Sequence, residues 1–367
     1  MSITSTATAE NSNGVFVAGD QFKPLPRHQP PFLARVLLAS KLSAIQTVLG
    51  QLACIFFPAS YDKTSPNPLP TVFTIHGGGF CIGNSIDDDV WNRTFADCHE
   101  ALVVSLDYAK APAHAYPGPL HDLEGLYHAV LADESLPINR QQTALLGFSA
   151  GGNLAATLCQ LESRKAREGK PSAVPRAVIP IYPPLDFSVA VPDKKPSRRF
   201  KEGLLPGLRG ERRDYVADLA PLFDWAYIPY GHDLRDPLLS PWHAKKEDLP
   251  ANIFVVAAEL DFLASEAWTW ATRLAGREPV SGIPGRPEVA KTEELELADE
   301  RFAWTSEDGE GSKRWLLVPD VLHAFDMHPS SAMVSDAVTL RDGNAKAVKV
   351  IRVLGQWLQE TVWKGAL

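Results

Sequence analysis

The run Gly147-Phe148-Ser149-Ala150-Gly151 sets a serine among small residues. A hydroxyl in that setting can attack the carbonyl of a carboxylic ester, provided a strand turns abruptly into a helix at the serine and lifts the oxygen to the sheet's edge. The flanks fit this requirement. Thr143-Ala144-Leu145-Leu146 reads as a strand, and Gly152-Asn153-Leu154-Ala155-Ala156-Thr157-Leu158 reads as the start of a helix. A serine hydroxyl is a weak nucleophile until an imidazole takes its proton and a carboxylate orients that imidazole. The chain must therefore supply a histidine and an acid from elsewhere.

It must also supply donors for the oxyanion that forms on attack, and backbone N–H groups do this without reorganising. His76-Gly77-Gly78-Gly79-Phe80 follows the apolar run Thr71–Ile75, and three glycines let the main chain approach a substrate closely. The rival reading, a phosphate cradle, lacks both G-K-[ST] and G-x-G-x-x-G with a downstream acid. His76, at a strand end before the glycines, is expected to hydrogen-bond the loop instead of acting as the base.

His76-Gly77-Gly78-Gly79, Tyr108-Ala109-Lys110-Ala111-Pro112 and Gly147-x-Ser149-Ala150-Gly151 together resemble the hormone-sensitive-lipase family of α/β-hydrolases. The likeness continues through Tyr182-Pro183-Pro184-Leu185-Asp186 and Pro237-Leu238-Leu239-Ser240-Pro241. The resemblance implies an oxyanion hole made by the amides of Gly78, Gly79 and Ala150; no cofactor and no metal are expected. One departure stands out: many members carry Asp before the nucleophile, and this chain has Phe148.

The fold orders its triad as Ser, then Asp or Glu, then His. Downstream of Ser149, the apolar run Ile253–Ala258 ends in Glu259-Leu260-Asp261, at the carboxyl end of a strand where α/β folds place their sites. The resemblance selects Asp261, with Glu259 the runner-up and Glu266 read as a cap of the next helix. Val321-Leu322-His323-Ala324-Phe325 resembles the family's His-Ala-Phe signature and gives His323 as the base, ahead of His328. His114, His121 and His128 are spaced by sevens but carry no accompanying ligand set for a metal.

These residues need a scaffold. Strand-like runs at Leu52–Phe57, Thr71–Ile75, Ala101–Leu106, Thr143–Leu146, Ala177–Ile181, Ile253–Ala257 and Trp315–Val318 alternate with helical runs at Asp87–Glu100, Leu120–Asp133, Gly151–Glu168 and Ser265–Leu274. Ala332–Val362 reads as a closing amphipathic helix or helix pair. The alternation predicts an α/β-hydrolase fold: a mostly parallel central sheet covered by helices on both faces, with a mainly helical cap. Residues 1–50 and 187–245 interrupt it and are assigned to the cap, leaving 51–186 and 246–367 as the two parts of the core. Within the second part, 276–312 reads as a surface insertion with a helix-compatible run at Glu288–Asp299, and it lengthens the step from Asp261 to His323. Phe80, Phe148 and Trp225 are the candidates for a substrate pocket.

Composition bounds the function class. The chain has 367 residues, 45% hydrophobic and 22% charged, with a formal charge of −8. That balance suits a globular enzyme with a sizeable core and disfavours attraction to nucleic acid or anionic membranes. No secretory signal and no run of eighteen apolar residues is found, and Cys54, Cys81, Cys98 and Cys159 form no paired spacing. A soluble cytoplasmic protein, monomeric or homodimeric, acting on a small neutral ester is the expectation. Its substrates would be short- to medium-chain or secondary-metabolite esters or lactones. Acyl transfer, or ring opening and closing, by the same triad is the enzymatic alternative. A non-catalytic small-molecule receptor on this fold is a third reading, which predicts a missing triad member.

Overall fold

The computed structural model describes residues 53–65, 67–278, 281–290, 293–326 and 336–364. The residues assigned to an N-terminal cap, 1–50, and the alternative base His328 lie outside them. Eight strands form one sheet in the order β1-β3-β2-β4-β5-β6-β8-β7. They are β1 (Cys54–Phe56), β2 (Leu69–Ile75), β3 (Leu102–Leu106), β4 (Ile138–Phe148), β5 (Ala177–Ile181), β6 (Asn252–Ala258), β7 (Ala303–Glu307) and β8 (Ser312–Val318). The six inner strands pair in parallel, and the edge strands β1 and β7 pair antiparallel to their neighbours.

Because side chains alternate across a strand, each apolar run feeds two cores. Phe73, Ile75, Val104, Leu145, Val255 and Leu317 face one layer, while Val72, Val103, Leu146, Ile179, Val256 and Leu316 face the other. Helices α2 (Gly118–Ala132), α3 (Ala150–Arg167) and α6 (Ala264–Leu274) cover the first layer; α1 (Asp89–His99) and α7 (Ala337–Trp357, continued by a π-turn at Leu358–Val362) cover the second. Strands buried on both faces read as continuous apolar runs, which is why the inner strands were legible at sequence level. Between β5 and β6, in the interval assigned to the cap, lie two α-helices, α4 (Val191–Lys194) and α5 (Tyr215–Tyr227), with short 3-10 turns around them.

Two features differ from the sequence reading. Strand β4 begins at Ile138, earlier than expected, because its polar start Asn139-Arg140-Gln141 is solvent-facing and has no apolar signature. The interval 276–312 is no simple surface insertion. It holds β7, whose pairing with β8 runs from Ala303↔Leu316 to Glu307↔Ser312. The described residues of the expected helical run Glu288–Asp299 form no helix. Pro284, Gly285 and Pro287 lead into it, and its backbone is held by long-range bonds: Ala290 N donates to Asp320 and Lys201 Nζ donates to the Glu288 carbonyl.

Candidate active site

The nucleophile's turn follows from crowding. A Cβ on Gly147 would lie 2.0 Å from the Gly151 carbonyl oxygen, and one on Gly151 would lie 2.1 Å from that of Ile75. Only glycine permits β4 to fold so tightly against the first turn of α3. Ser149, between them, takes φ 52° and ψ −118°, a strained conformation for an L-residue, and its N–H donates to the Ile181 carbonyl at 2.9 Å.

The structure brings together the three residues selected from the sequence. His323 Nε2 lies 2.7 Å from Ser149 Oγ, and its Nδ1 lies 2.7 Å from Asp261 Oδ2. Asp261 is fully buried, and its other oxygen accepts the Leu263 N–H at 3.1 Å. Burial of the imidazole opposes its protonation. The Asp261 charge and hydrogen bond, reinforced by the carboxylates of Asp214 and Asp326, outweigh this and raise its pKa above the ordinary value. The Tyr182 ring packs 4.6 Å from the imidazole, and the Tyr182 hydroxyl donates to Asp326 Oδ1. Burial holds that carboxyl's pKa up, at about 6, against the bond from Tyr182.

Glu259 and Glu266, the other acids considered, are engaged elsewhere. Glu259 pairs with Lys201 at 2.8 Å, and Glu266 accepts the Leu185 N–H at 2.8 Å and pairs with Lys194 instead of capping α6.

The glycine loop lies against the turn: a Cβ on Gly77 would approach the Phe148 carbonyl oxygen at 3.2 Å and Ser149 Cβ at 3.3 Å. Gly78, Gly79 and Phe80 all have positive φ, at 106°, 58° and 65°. Among the described residues, no protein acceptor is found for the N–H groups of Gly78, Gly79 or Ala150. His76 anchors the loop, its Nδ1 2.7 Å from the Gly77 carbonyl and its Nε2 3.0 Å from Asp107. Its burial pushes the imidazole pKa down, although Asp107 pulls the other way. Tyr108 stacks on that ring at 4.4 Å and donates to the His76 and Gly77 carbonyls, both at 3.3 Å, while Ala111 N donates to the Phe80 carbonyl. The motif Tyr108–Pro112 thus braces the loop from below.

The pocket candidates separate. Phe80 is buried, stacked on Tyr227 with centroids 3.8 Å apart. Phe148 is buried in the opposite core layer, edge-on to Trp91 at 5.2 Å. Trp225 is half-buried and packs against the larger core. Both phenylalanines are thus packed into the core, on opposite faces of the sheet. Phe223, not among those three, lies directly over the loop: a Cβ on Gly79 would meet its ring at 2.3 Å. Sequence reasoning also passed over Asp107, Asp214, Arg198 and Asp326, which belong to no short motif beside the serine, and gave no role to Tyr182 within its motif.

Among the described residues, the donor atoms of Glu124, His128 and Glu162 converge within 4.8 Å. Lys165 already reaches both carboxylates there, so an ammonium supplies the positive charge. His121, exposed, pairs with Glu124 of that group at 3.3 Å. No helix among the described residues is long and apolar enough to cross a membrane.

Comparison with known proteins bears on the fold and the family. Residues 72–281 match the model of a family described as alpha/beta hydrolase fold. An arylesterase of Saccharolobus solfataricus is 30% identical over 218 residues, covering 58% of this chain and 63% of that protein. The carboxylic ester hydrolase LipN of Mycobacterium tuberculosis is 30% identical over 224 residues, covering 58% of this chain and 54% of that protein. The matched regions thus span between half and two thirds of these curated relatives. A hyperthermophilic esterase from the archaeon Pyrobaculum calidifontis shares the fold with a TM-score of 0.57 at 21% identity, over 89% of this chain and 92% of that one. With the family model matched over more than half of its length, the chain belongs to the α/β-hydrolases of the hormone-sensitive-lipase and carboxylesterase type.

Proposed function

We propose that this protein hydrolyses carboxylic esters or lactones, of short- to medium-chain or secondary-metabolite type, through an acyl-enzyme on Ser149. The observation that carries the proposal is the unbroken hydrogen-bonded chain Ser149 Oγ, His323, Asp261, with both links at 2.7 Å. In this reading His323 takes the Ser149 proton as Oγ attacks the ester carbonyl, and Asp261 stabilises the imidazolium that results. The amides of Gly78, Gly79 and Ala150 receive the oxyanion. His323 then delivers its proton to the departing alcohol, and water attacks the acyl-enzyme with His323 again as base. The complete triad argues against the receptor reading. Phe223 above Gly79 supports an apolar wall close to the reacting carbonyl and hence an uncharged substrate. The four free cysteines suit a reducing, cytoplasmic setting.

The test is fluorophosphonate labelling read by intact mass, with turnover of p-nitrophenyl acetate and butyrate alongside. Wild type should gain one adduct and hydrolyse the esters, and Ser149→Ala should do neither. A wild type that takes no adduct and turns over neither ester would overturn the proposal.

A further inference from the structure

Two buried carboxylates stand just ahead of the triad's acid and base. Glu259 precedes Asp261 by two residues, and Asp320 precedes His323 by three. Both meet one ammonium from the cap interval. Lys201, its side chain wholly buried, places Nζ 2.8 Å from Glu259 Oε2, 2.5 Å from Asp320 Oδ1 and 2.8 Å from the Glu288 carbonyl. Glu259 also accepts the N–H groups of Asp320 and Arg286, each at 2.8 Å. Three residues before Lys201, the buried Arg198 donates through Nε to the Leu260 carbonyl at 2.9 Å and pairs with Asp214 Oδ2 at 2.9 Å. Asp214 Oδ2 in turn accepts the Phe262 N–H at 3.2 Å. The cap interval therefore grips the backbone on either side of Asp261 and the entrance of the loop that carries His323.

We propose that the segment from Arg198 to Asp214 is a positioning clamp, which sets Asp261 and His323 in register when the cap is seated, so that cap docking and triad assembly are one event. The inference rests on the hydrolase reading above. Its physical basis is charge balance: without the Lys201 ammonium, the Glu259 and Asp320 carboxylates would face each other buried and uncompensated, and the two loops would part to admit water. A compact ammonium with three donors can bond both carboxylates and a carbonyl at once, which no apolar residue of similar size can do. Arg198 and Lys201 touch neither Ser149 nor substrate; they act through the loops.

The test compares wild type with Lys201→Met and with Asp248→Asn. The latter weakens the ion pairs that the buried Asp248 carboxylate makes with the partly exposed Arg164 and Arg167, remote from the triad. Displacement of a reacting group by about 1 Å costs on the order of 100-fold in rate. Lys201→Met should accordingly lower kcat by about 100-fold, with KM changed by less than about threefold. The acid limb of its pH profile should shift to lower pH, because Asp261 no longer holds its place against His323 while Asp214 and Asp326 remain as the other acids facing the ring. Asp248→Asn should lower Tm and leave kcat and the pH profile as in wild type. If Lys201→Met does not fold, Arg198→Met, which removes the donor to the Leu260 carbonyl beside Asp261, serves in its place and should likewise lower kcat with little change in KM. A variant with lowered Tm but wild-type kcat and pH profile would overturn the clamp alone. A wild type that takes no fluorophosphonate label would instead remove the hydrolase reading, and the clamp with it.

Discussion

Replacing Asp261 with Asn tests the acid assignment most directly. Asn has nearly the same shape, so what changes is the charge beside the imidazole and the hydrogen-bond pattern at Nδ1. Asp261 is fully buried and 2.7 Å from Nδ1, which puts the centres of charge about 4 Å apart in the imidazolium state. At an effective dielectric near 20, two unit charges at that distance attract by about 4 kcal/mol, which corresponds to about three decades in rate if the interaction is made only as the proton is transferred. The Asn amide can also donate to Nδ1 and so favour the tautomer that leaves Nε2 unable to accept the serine proton, which adds to the loss. We expect kcat/KM for p-nitrophenyl butyrate at neutral pH to fall by about 1000-fold or more, with fluorophosphonate labelling slowed in parallel. Circular dichroism and Tm should show a folded variant. A folded Asp261→Asn protein that loses less than about tenfold would refute the reasoning. A larger loss in Glu259→Gln than in Asp261→Asn would move the role of the acid to Glu259.

Further expectations concern pH and the residue before the nucleophile. Since His323 must be neutral to act as base and its pKa is raised, kcat/KM should climb with pH through an apparent value above the ordinary histidine range. Asp326→Asn removes one of the negative groups facing the imidazole while keeping an acceptor for Tyr182, so a pH–rate profile should show that limb moved to lower pH. The native carboxyl, with its pKa held at about 6, binds its proton more tightly folded than unfolded; its contribution to stability is present in acid and lost as pH rises through about 6. Urea titrations at pH 5 and 8 should accordingly find Asp326→Asn less sensitive to pH than wild type across that window. Phe148→Asp, which installs the residue common in the family, should cost several kcal/mol of stability, because it buries an unpaired carboxylate against Trp91, and a Tm within about 2 °C of wild type would contradict this.

The chemistry was legible where local crowding dictates residue type. Gly147 and Gly151 are required by the approach of neighbouring backbone at about 2 Å, so the serine's turn could be read from five letters. The inner strands were legible because both faces are buried. What surrounds the site was not. Lys201, Arg198 and Asp214 reach the triad from more than forty residues away in sequence, and buried ion pairs of that separation leave no periodic trace. Strand β7 was missed because its pattern of Ala303, Trp304, Thr305, Ser306 and Glu307 is short and mostly polar, as suits an edge with one face in solvent. Phe148 stood out only as a departure from the Asp that many family members carry. The structure shows an aromatic contact filling that place, a replacement that single-residue comparison with a family pattern cannot foresee.

The position of β7 has a consequence for motion. Fraying of a sheet starts at its outermost strand, where hydrogen bonds are made on one side only, and local opening there costs least. Were β8 the last strand, its thermal opening would loosen the loop that carries His323 directly. With β7 paired along Ala303–Glu307, β8 is bonded on both sides, and opening must first release the outer strand before it can disturb the base. The segment that lengthens the distance in sequence between Asp261 and His323 thereby shields the two from fluctuations at the sheet's end.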